Sequence, residues 1–489
     1  MSFRRSVAWM AASQGCLFIL QFGGTVVLAR LLTPYEMGVY AVAAAVMGVL
    51  GILRAFGLTV FVVREPQIDA DLLASAFTVN AVVAALVAFL VAGFSVAAGS
   101  FLHEPGIRRV TLVLSVIPLI SIFEFLPAAR LERDSQFRPI AMMNLVRAGA
   151  SNLLTIALAI AGLSYMSMAW GQIAGAVASA AGFMICGRQY VSYRLAFTGW
   201  RQITVFGMQQ LAIQGVNTLA QRISDLLIGR LLGLSALGLY GRAVGLTNLL
   251  WSNAYMIVGR VILVDLAGQR RGGMDLGERY LRTVEVISAL LWPSFAGLAI
   301  LAGPLIYIVY GPAWVAAAPP LSMLAVASIA FISLGMTWEV FIVCNQTSEL
   351  ARIECSRAGI GVILFAVGCF FSLTTAAAAR ILESFIAIAI YLPRVERITA
   401  TQRSDFVRIF RRNAIATVIP CSPAFILMTL YGWSPHVPIS LVAAAIGGGA
   451  TIWVGILHLM GHPLSYELRR LVAESRRVAG MGLAFLDPP

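Results

Sequence analysis

Five polar side chains, Gln210, Gln214, Asn217, Gln221 and Asp225, interrupt an otherwise apolar stretch at spacings of 4, 3, 4 and 4. Those intervals keep all five on one stripe of an α-helix. Amides facing hydrocarbon would leave donors and acceptors unsatisfied, so the stripe either lines a wet cavity or closes a contact with another helix. Gln14 and Gln21 offer a matching face earlier in the chain. Arg54, Arg147, Arg222 and Arg242 fall within or at the edge of similar stretches, where an ionised group is costly. A guanidinium stays charged at any relevant pH and grips an oxyanion through paired donors; the plainer role for each is snorkelling or helix packing. Three carboxylates complete the set. Asp225 either couples an ion or simply pairs with Arg222 three residues before it. Glu124 and Glu339 lie at similar depths in their stretches, placed either to titrate in an ion-coupled cycle or to pair with loop arginines. Arg380 and Glu383 have the spacing of a local ion pair.

The elements that must position these groups are set by composition. Of 489 residues, 60% are hydrophobic and 12% charged, and mean hydropathy is +0.87. That is too little charge to cover a water-facing surface. Apolar runs long enough to span a bilayer occur at 8–29, 38–62, 73–98, 109–129, 139–162, 165–186, 203–230, 236–264, 283–309, 318–344, 355–373, 375–393, 411–431 and 437–460. The chain therefore reads as an all-α polytopic membrane protein with about fourteen transmembrane helices; the boundaries near 129–139 and 373–375 leave room for twelve or thirteen.

The net charge of +13 comes from arginine alone, since the sequence contains no lysine. It does not point to nucleic acid. Arg4, Arg5, Arg130, Arg133, Arg138, Arg270, Arg271, Arg469 and Arg470 flank the apolar runs on one side, and the positive-inside rule accounts for that bias with both termini cytoplasmic. The charged start continues into a full-length helix and reads as a first span, not a cleaved signal. Cys16, Cys186, Cys344, Cys355, Cys369 and Cys421 have no metal or disulfide spacing and suit small packing roles; no metal or cofactor is expected. Nucleotide-binding glycine motifs are absent. The longest external loop, SFLHEPGIRR (100–109), supplies only His103 and Glu104 as acid or base. Both points argue against a membrane-bound glycosyltransferase or polymerase and against an ATP-driven pump.

LARLLTPYEMGVY (28–40) and IGRLLGLSALGLY (228–240) write one boundary twice. The register continues backwards, pairing Gln14 with Gln214, Gly15 with Gly215 and Gln21 with Gln221. An even number of apolar runs separates the copies, so they share an orientation and form parallel repeats about the membrane normal. The division expected is an N-lobe 1–200, a C-lobe 201–400, two further helices in 401–460 and a basic cytoplasmic tail 461–489. Arg30 and Arg230 would snorkel at the outer interface, Gly38 and Gly238 would allow close helix packing, and Tyr40 and Tyr240 would suit the interfacial belt.

The doubled boundary, with ARLERDSQFRPIAMMNLVRA (129–148) and RISDLLIGRLLGLSALGLYGRA (222–243), resembles the polysaccharide-transporter branch of the multidrug/oligosaccharidyl-lipid/polysaccharide (MOP) exporter superfamily. The resemblance covers roughly residues 1–460. It implies two lobes rocking around a cavity lined by spans 1, 2, 7 and 8. It also implies flipping of polyprenyl-pyrophosphate-linked oligosaccharides across the bacterial inner membrane for exopolysaccharide, capsule or O-antigen assembly. The implied partners are the lipid-linked oligosaccharide, membrane lipids and polysaccharide polymerase or export machinery. Pyrophosphate is multiply anionic, so the resemblance gives Arg54, Arg147, Arg222 and Arg242 a phosphate-binding role beside Gln14, Gln21, Gln214, Asn217 and Gln221. One departure concerns LRAFGL: the family often carries an acidic residue there, and this chain carries Arg54. A multidrug antiporter of the same superfamily is the alternative, but a site for organic cations should be acidic, and the excess here is arginine.

Overall fold

The computed structural model describes residues 3–465 except 55–56, 66–68, 102–103, 191–193, 272–275 and 345; side chains of 3–13, 97–101, 209–210, 212–214, 216–217, 253–271 and 276 lie outside the description. Among the described residues the chain is helical, without strands. The helices are α1 (Phe3–Leu31), α2 (Pro34–Gly51), α3 (Leu58–Arg64), α4 (Ala70–Phe101), α5 (Pro105–Leu114), α6 (Ile117–Arg133), α7 (Phe137–Ile160), α8 (Met166–Cys186), α9 (Trp200–Leu231), α10 (Leu234–Arg271), α11 (Leu276–Ile300), α12 (Ala302–Tyr310), α13 (Ala318–Ile332), α14 (Thr337–Val343), α15 (Thr347–Cys369), α16 (Leu373–Thr399), α17 (Arg403–Leu430) and α18 (Ile439–Leu459).

Eleven segments among the described residues, rather than the expected fourteen, are long and apolar enough to cross a membrane. The expected spans at 203–230, 236–264 and 355–373 fall on α9, α10 and α15. The first carries the polar stripe with Arg222, Asp225 and Arg230, and the last carries Arg352, Glu354 and Arg357. Much of α10 lies outside the described side chains. The two junctions in question are both real breaks. Ser372 caps α16 in a capping box with Thr375, and Ser135 turns the chain between α6 and α7 at φ +55°.

Several expected spans are not single rods. The run 38–62 is interrupted: α2 gives way to a 3-10 turn at Ile52–Arg54, and Gly57, at φ +61°, starts α3. That left-handed conformation suits glycine, which carries no Cβ penalty there. The run 318–344 divides at Met336, φ +60°, into α13 and α14.

The repeated boundary folds the same way twice. The Leu32 amide donates to the Leu28 carbonyl at 2.9 Å, and the Leu232 amide to the Ile228 carbonyl at 2.9 Å. The first copy adds a capping box, Thr33 with Glu36, that the second replaces with Gly233 at φ +90°. The two copies also touch each other. A Cβ on Gly38 would overlap the Leu234 carbonyl, and one on Gly238 would overlap the Pro34 carbonyl. The close packing expected of these glycines is therefore reciprocal: each copy's glycine sits on the other copy's first helical residue. Tyr240 is buried and Tyr40 half-buried, so both turn inward rather than joining an interfacial belt.

The chain divides into two compact units, Met1–Gly241 with Val309–Trp314, and Arg242–Ile308 with Val315–Pro489. In the first, α7 packs along α8 and α1, and α2 packs on α5 and α9. Its core gathers Phe61, Phe77, Leu126 and Ile203. In the second, α13 and α15 pack on α16, and α11 packs on α17, which packs on α18. Compactness thus puts α9 with the first unit; the lobes 1–200 and 201–400, read from the repeat, are a separate division. Large apolar side chains such as Leu430 (78% exposed) and Leu459 (87%) cover the outside, as lipid-facing helices require.

Candidate substrate-binding site

Arg54 does not sit in mid-helix. It ends the 3-10 turn after α2, is exposed, and makes no hydrogen bond among the described residues. Its field is shared with Glu124 of α6 and Arg147 of α7. Those two form an ion pair: Arg147 Nη2 donates to Glu124 Oε1 at 3.1 Å and to Oε2 at 3.2 Å. Ser179 of α8 donates a third hydrogen bond to Glu124 Oε2 at 3.1 Å. The Glu124 side chain is 16% exposed and that of Arg147 41%. Glu124 is thus held by an arginine from a neighbouring span, not by one from a loop. Two cations and one anion leave the cluster net positive, and the accessible guanidinium is the one without a contact partner.

A second group lies along the seam between α2 and α9. Val42 packs at Gly229, and Ile52 packs at Gly215, so the helices run antiparallel. Between them Arg222 crosses the helix axis at Gly48, where a Cβ would overlap its Nε. Arg222 Nη1 donates to Asp225 Oδ2 at 3.3 Å, which makes Asp225 its partner within one helical turn. Its Nε is buried without a hydrogen-bond acceptor among the described residues. Tyr40 bonds to Gln172 of α8 and lies within the field of Arg222. Arg222 and the level of Ile52 are separated by seven residues of α9, roughly 10 Å of rise, so Arg54 and Arg222 occupy successive levels of one seam.

Of the expected stripe, Gln221 is exposed on α9, while the side chains of Gln210, Gln214 and Asn217 lie outside the description. Gln14 and Gln21 of α1 are exposed, and with Gln221 they make no hydrogen bond among the described residues. Arg242 and Glu339 belong to the second unit, Arg242 half-buried early in α10 and Glu339 buried at the start of α14 near Tyr280. Within the first unit the structure therefore brings Arg54, Arg147 and Glu124 together and adds Arg222 with Asp225 on the seam.

Sequence reasoning missed Ser179, Gln172 and the helix break that carries Arg54. It also read too little into Arg380 and Glu383. They pair at 2.6 Å as expected, but Arg357 joins Glu383 at 2.7 Å and Glu354 at 2.8 Å, and Tyr391 donates to Glu354 at 2.5 Å. The spacing of Glu354 and Arg357 was readable as a second i,i+3 pair; the union of the two pairs was not.

These long apolar helices define a multi-pass membrane protein, and its fold is of the MurJ- and MATE-like transporter kind. The chain resembles the lipid II flippase MurJ in its inward closed conformation over 93% of its length and 98% of that chain, with TM-score 0.76 at 13% identity. An inward-facing multidrug resistance MATE family transporter of the MOP superfamily matches 79% of this chain and 96% of that one, with TM-score 0.54 at 13% identity. Within that class, the polysaccharide biosynthesis protein family matches residues 27–319, more than half of the chain, and the chain belongs to it. It is similar to the succinoglycan biosynthesis transport protein ExoT of Rhizobium meliloti (strain 1021), 23% identical over 323 residues, spanning 66% of this chain and 65% of that protein. Lipopolysaccharide biosynthesis protein WzxC of Escherichia coli (strain K12) is 21% identical over 327 residues, 66% of each chain.

Proposed function

We propose that this protein flips oligosaccharides linked to polyprenyl pyrophosphate across the bacterial inner membrane, delivering them for exopolysaccharide, capsule or O-antigen assembly. The observation that carries the reading is the accessible Arg54 on a helix break, beside an arginine whose carboxylate partner is shared with a serine. A pyrophosphate leaving the headgroup layer loses hydration, and fixed guanidiniums replace it through charge and paired donors. Arg54 makes the first contact; Arg147 follows by exchanging Glu124 for phosphate oxygens, and Arg222 lies further along the seam. Exposed Gln14, Gln21 and Gln221, with Gln214 and Asn217 on the same stripe, face the sugar. A carboxylate freed by this exchange is able to take a proton, so Glu124, together with Asp225 and Glu339, is a candidate for ion coupling. Arg242 joins from the C-lobe as the lobes 1–200 and 201–400 alternate access.

A net-positive cluster disfavours organic cations, which sets this reading apart from a multidrug antiporter. The names of ExoT and WzxC, in succinoglycan transport and lipopolysaccharide biosynthesis, support a saccharide cargo, and polymerase or export proteins are its expected partners. The test is surface or secreted polysaccharide from a deletion strain complemented with Arg54→Ala, normalised to membrane protein level. Export should be lost, and Arg54→Lys should restore it only in part, since lysine keeps the charge but not the fork. Full export by Arg54→Ala at wild-type abundance would overturn the assignment.

A further inference from the structure

The last turn of α3 and the first turns of α9 enclose a cavity of about 680 Å³ within the first unit. Its apolar side is built from Phe61, Val205 and Phe206, the two rings 5.7 Å apart. Its rim carries Arg64 and Arg201, both exposed, and Glu65 and Gln202 also line it. Arg64 places its guanidinium carbon 5.8 Å above the Phe206 ring, a cation–π contact that holds the charge over the apolar wall. Arg133 of α6 donates at 2.6 Å to the carbonyls of both Val62 and Glu65, which fixes the turn that presents Arg64. Counting Glu65 against Arg64, Arg201 and Arg133, the surroundings are net positive. The depth is that of a membrane edge: one helix ends here, another begins, and Trp200 stands half exposed at the start of α9, as interfacial tryptophans do.

Cations at headgroup level above an aromatic wall match one chemistry, a phosphate ester carrying a long apolar chain. We propose that this cavity binds the phosphate of a membrane lipid, with Arg64 and Arg201 on the phosphate oxygens and the chain laid along Phe61, Val205 and Phe206. The site shares no residue with the Arg54 cluster described above. Its lipid is either a resident anionic phospholipid or the isoprenoid pyrophosphate carrier itself.

Native mass spectrometry of the purified full-length protein distinguishes these. The probes are phosphatidylglycerol, a polyprenyl pyrophosphate, phosphatidylcholine and inorganic pyrophosphate. The wild type should retain one anionic lipid in preference to phosphatidylcholine, and Arg64→Gln with Arg201→Gln should weaken it roughly a hundredfold, about tenfold per guanidinium. The readout is lipid retention by the purified protein and not polysaccharide export, which separates its failure from failure of the export reading. Each single glutamine variant, at an exposed position, should show its own tenfold share if the double variant does not fold. Retention of phosphatidylglycerol that the glutamine variants lose identifies the phospholipid as the occupant; pyrophosphate-lipid retention that they lose, with phosphatidylglycerol unbound, identifies the carrier. Undiminished binding in the glutamine variants, or inorganic pyrophosphate bound as tightly as either lipid, would overturn the proposal.

Discussion

At the scale of single residues, the decisive contrast is between charges that are satisfied and one that is not. Glu124 has three hydrogen bonds, and Arg147 spends its fork on Glu124; Arg54 spends nothing among the described residues. A satisfied buried group behaves oppositely, and His462 shows how. Its ring is fully buried three residues beyond α18. The Leu464 amide donates to Nδ1 at 3.2 Å, which leaves the proton on Nε2, 3.1 Å from Asn413 Oδ1. Glu285 approaches Nε2 to 3.4 Å but is already bonded to Arg412 at 2.8 Å. Burial, with the nearby Arg412 charge, pushes the imidazole down to about 4. The folded state therefore refuses a proton that the unfolded chain accepts below its ordinary pKa near 6.5. Above that pH His462 adds no pH dependence; between 6.5 and 4 stability falls as pH falls, by about 3 kcal/mol in all. Thermal melting of the detergent-solubilised protein at pH 7.5 and 5 should show the loss, and His462→Gln should flatten it. An unchanged slope in that variant would assign the acid sensitivity elsewhere.

At the scale of elements, the contact between α2 and the start of α10 should be sensitive to one carbon. Gly38→Ala drives a Cβ into the Leu234 carbonyl, and separating two close helices costs about 1–3 kcal/mol, read as a lower melting temperature. Gly447→Ala in α18, which has open space around it, should be neutral or slightly stabilising. Equal melting of the two variants would mean that the glycine contact carries no weight. The helices themselves were largely legible, because apolar runs and the doubled boundary are local signals. What escaped the sequence is what depends on packing across helices. Glu124 and Arg147 lie 23 residues apart across a loop, and nothing in either helix's periodicity says that they meet. The break at Ile52–Arg54 was hidden because the apolar residues continue on both sides of Arg54 and Gly57, from α2 into α3, with no proline between. Arg222 and Asp225 were legible together, since their contact lies within one helix turn.

At the scale of the whole molecule, orientation is the property on which the flipping reading depends. Arginine flanking one side of the apolar runs should hold 138 and 403 in the cytoplasm and 100 and 311 outside. Reporter fusions after Arg138, Arg271 and Arg403 should read cytoplasmic, and fusions at Ser100 and Gly311 periplasmic. A periplasmic signal after Arg271 would break the parallel relation between the copies. The doubled boundary has a further property at the level of atoms. Position 38 meets position 234, and position 238 meets position 34, so the contact reads identically from either copy. Identical chains pairing about a two-fold axis make contacts of that kind. A half-length ancestor with one such boundary would have met its own twin there. Joining two such copies end to end would then require no new surface, only a linker and the freedom for each half to diverge.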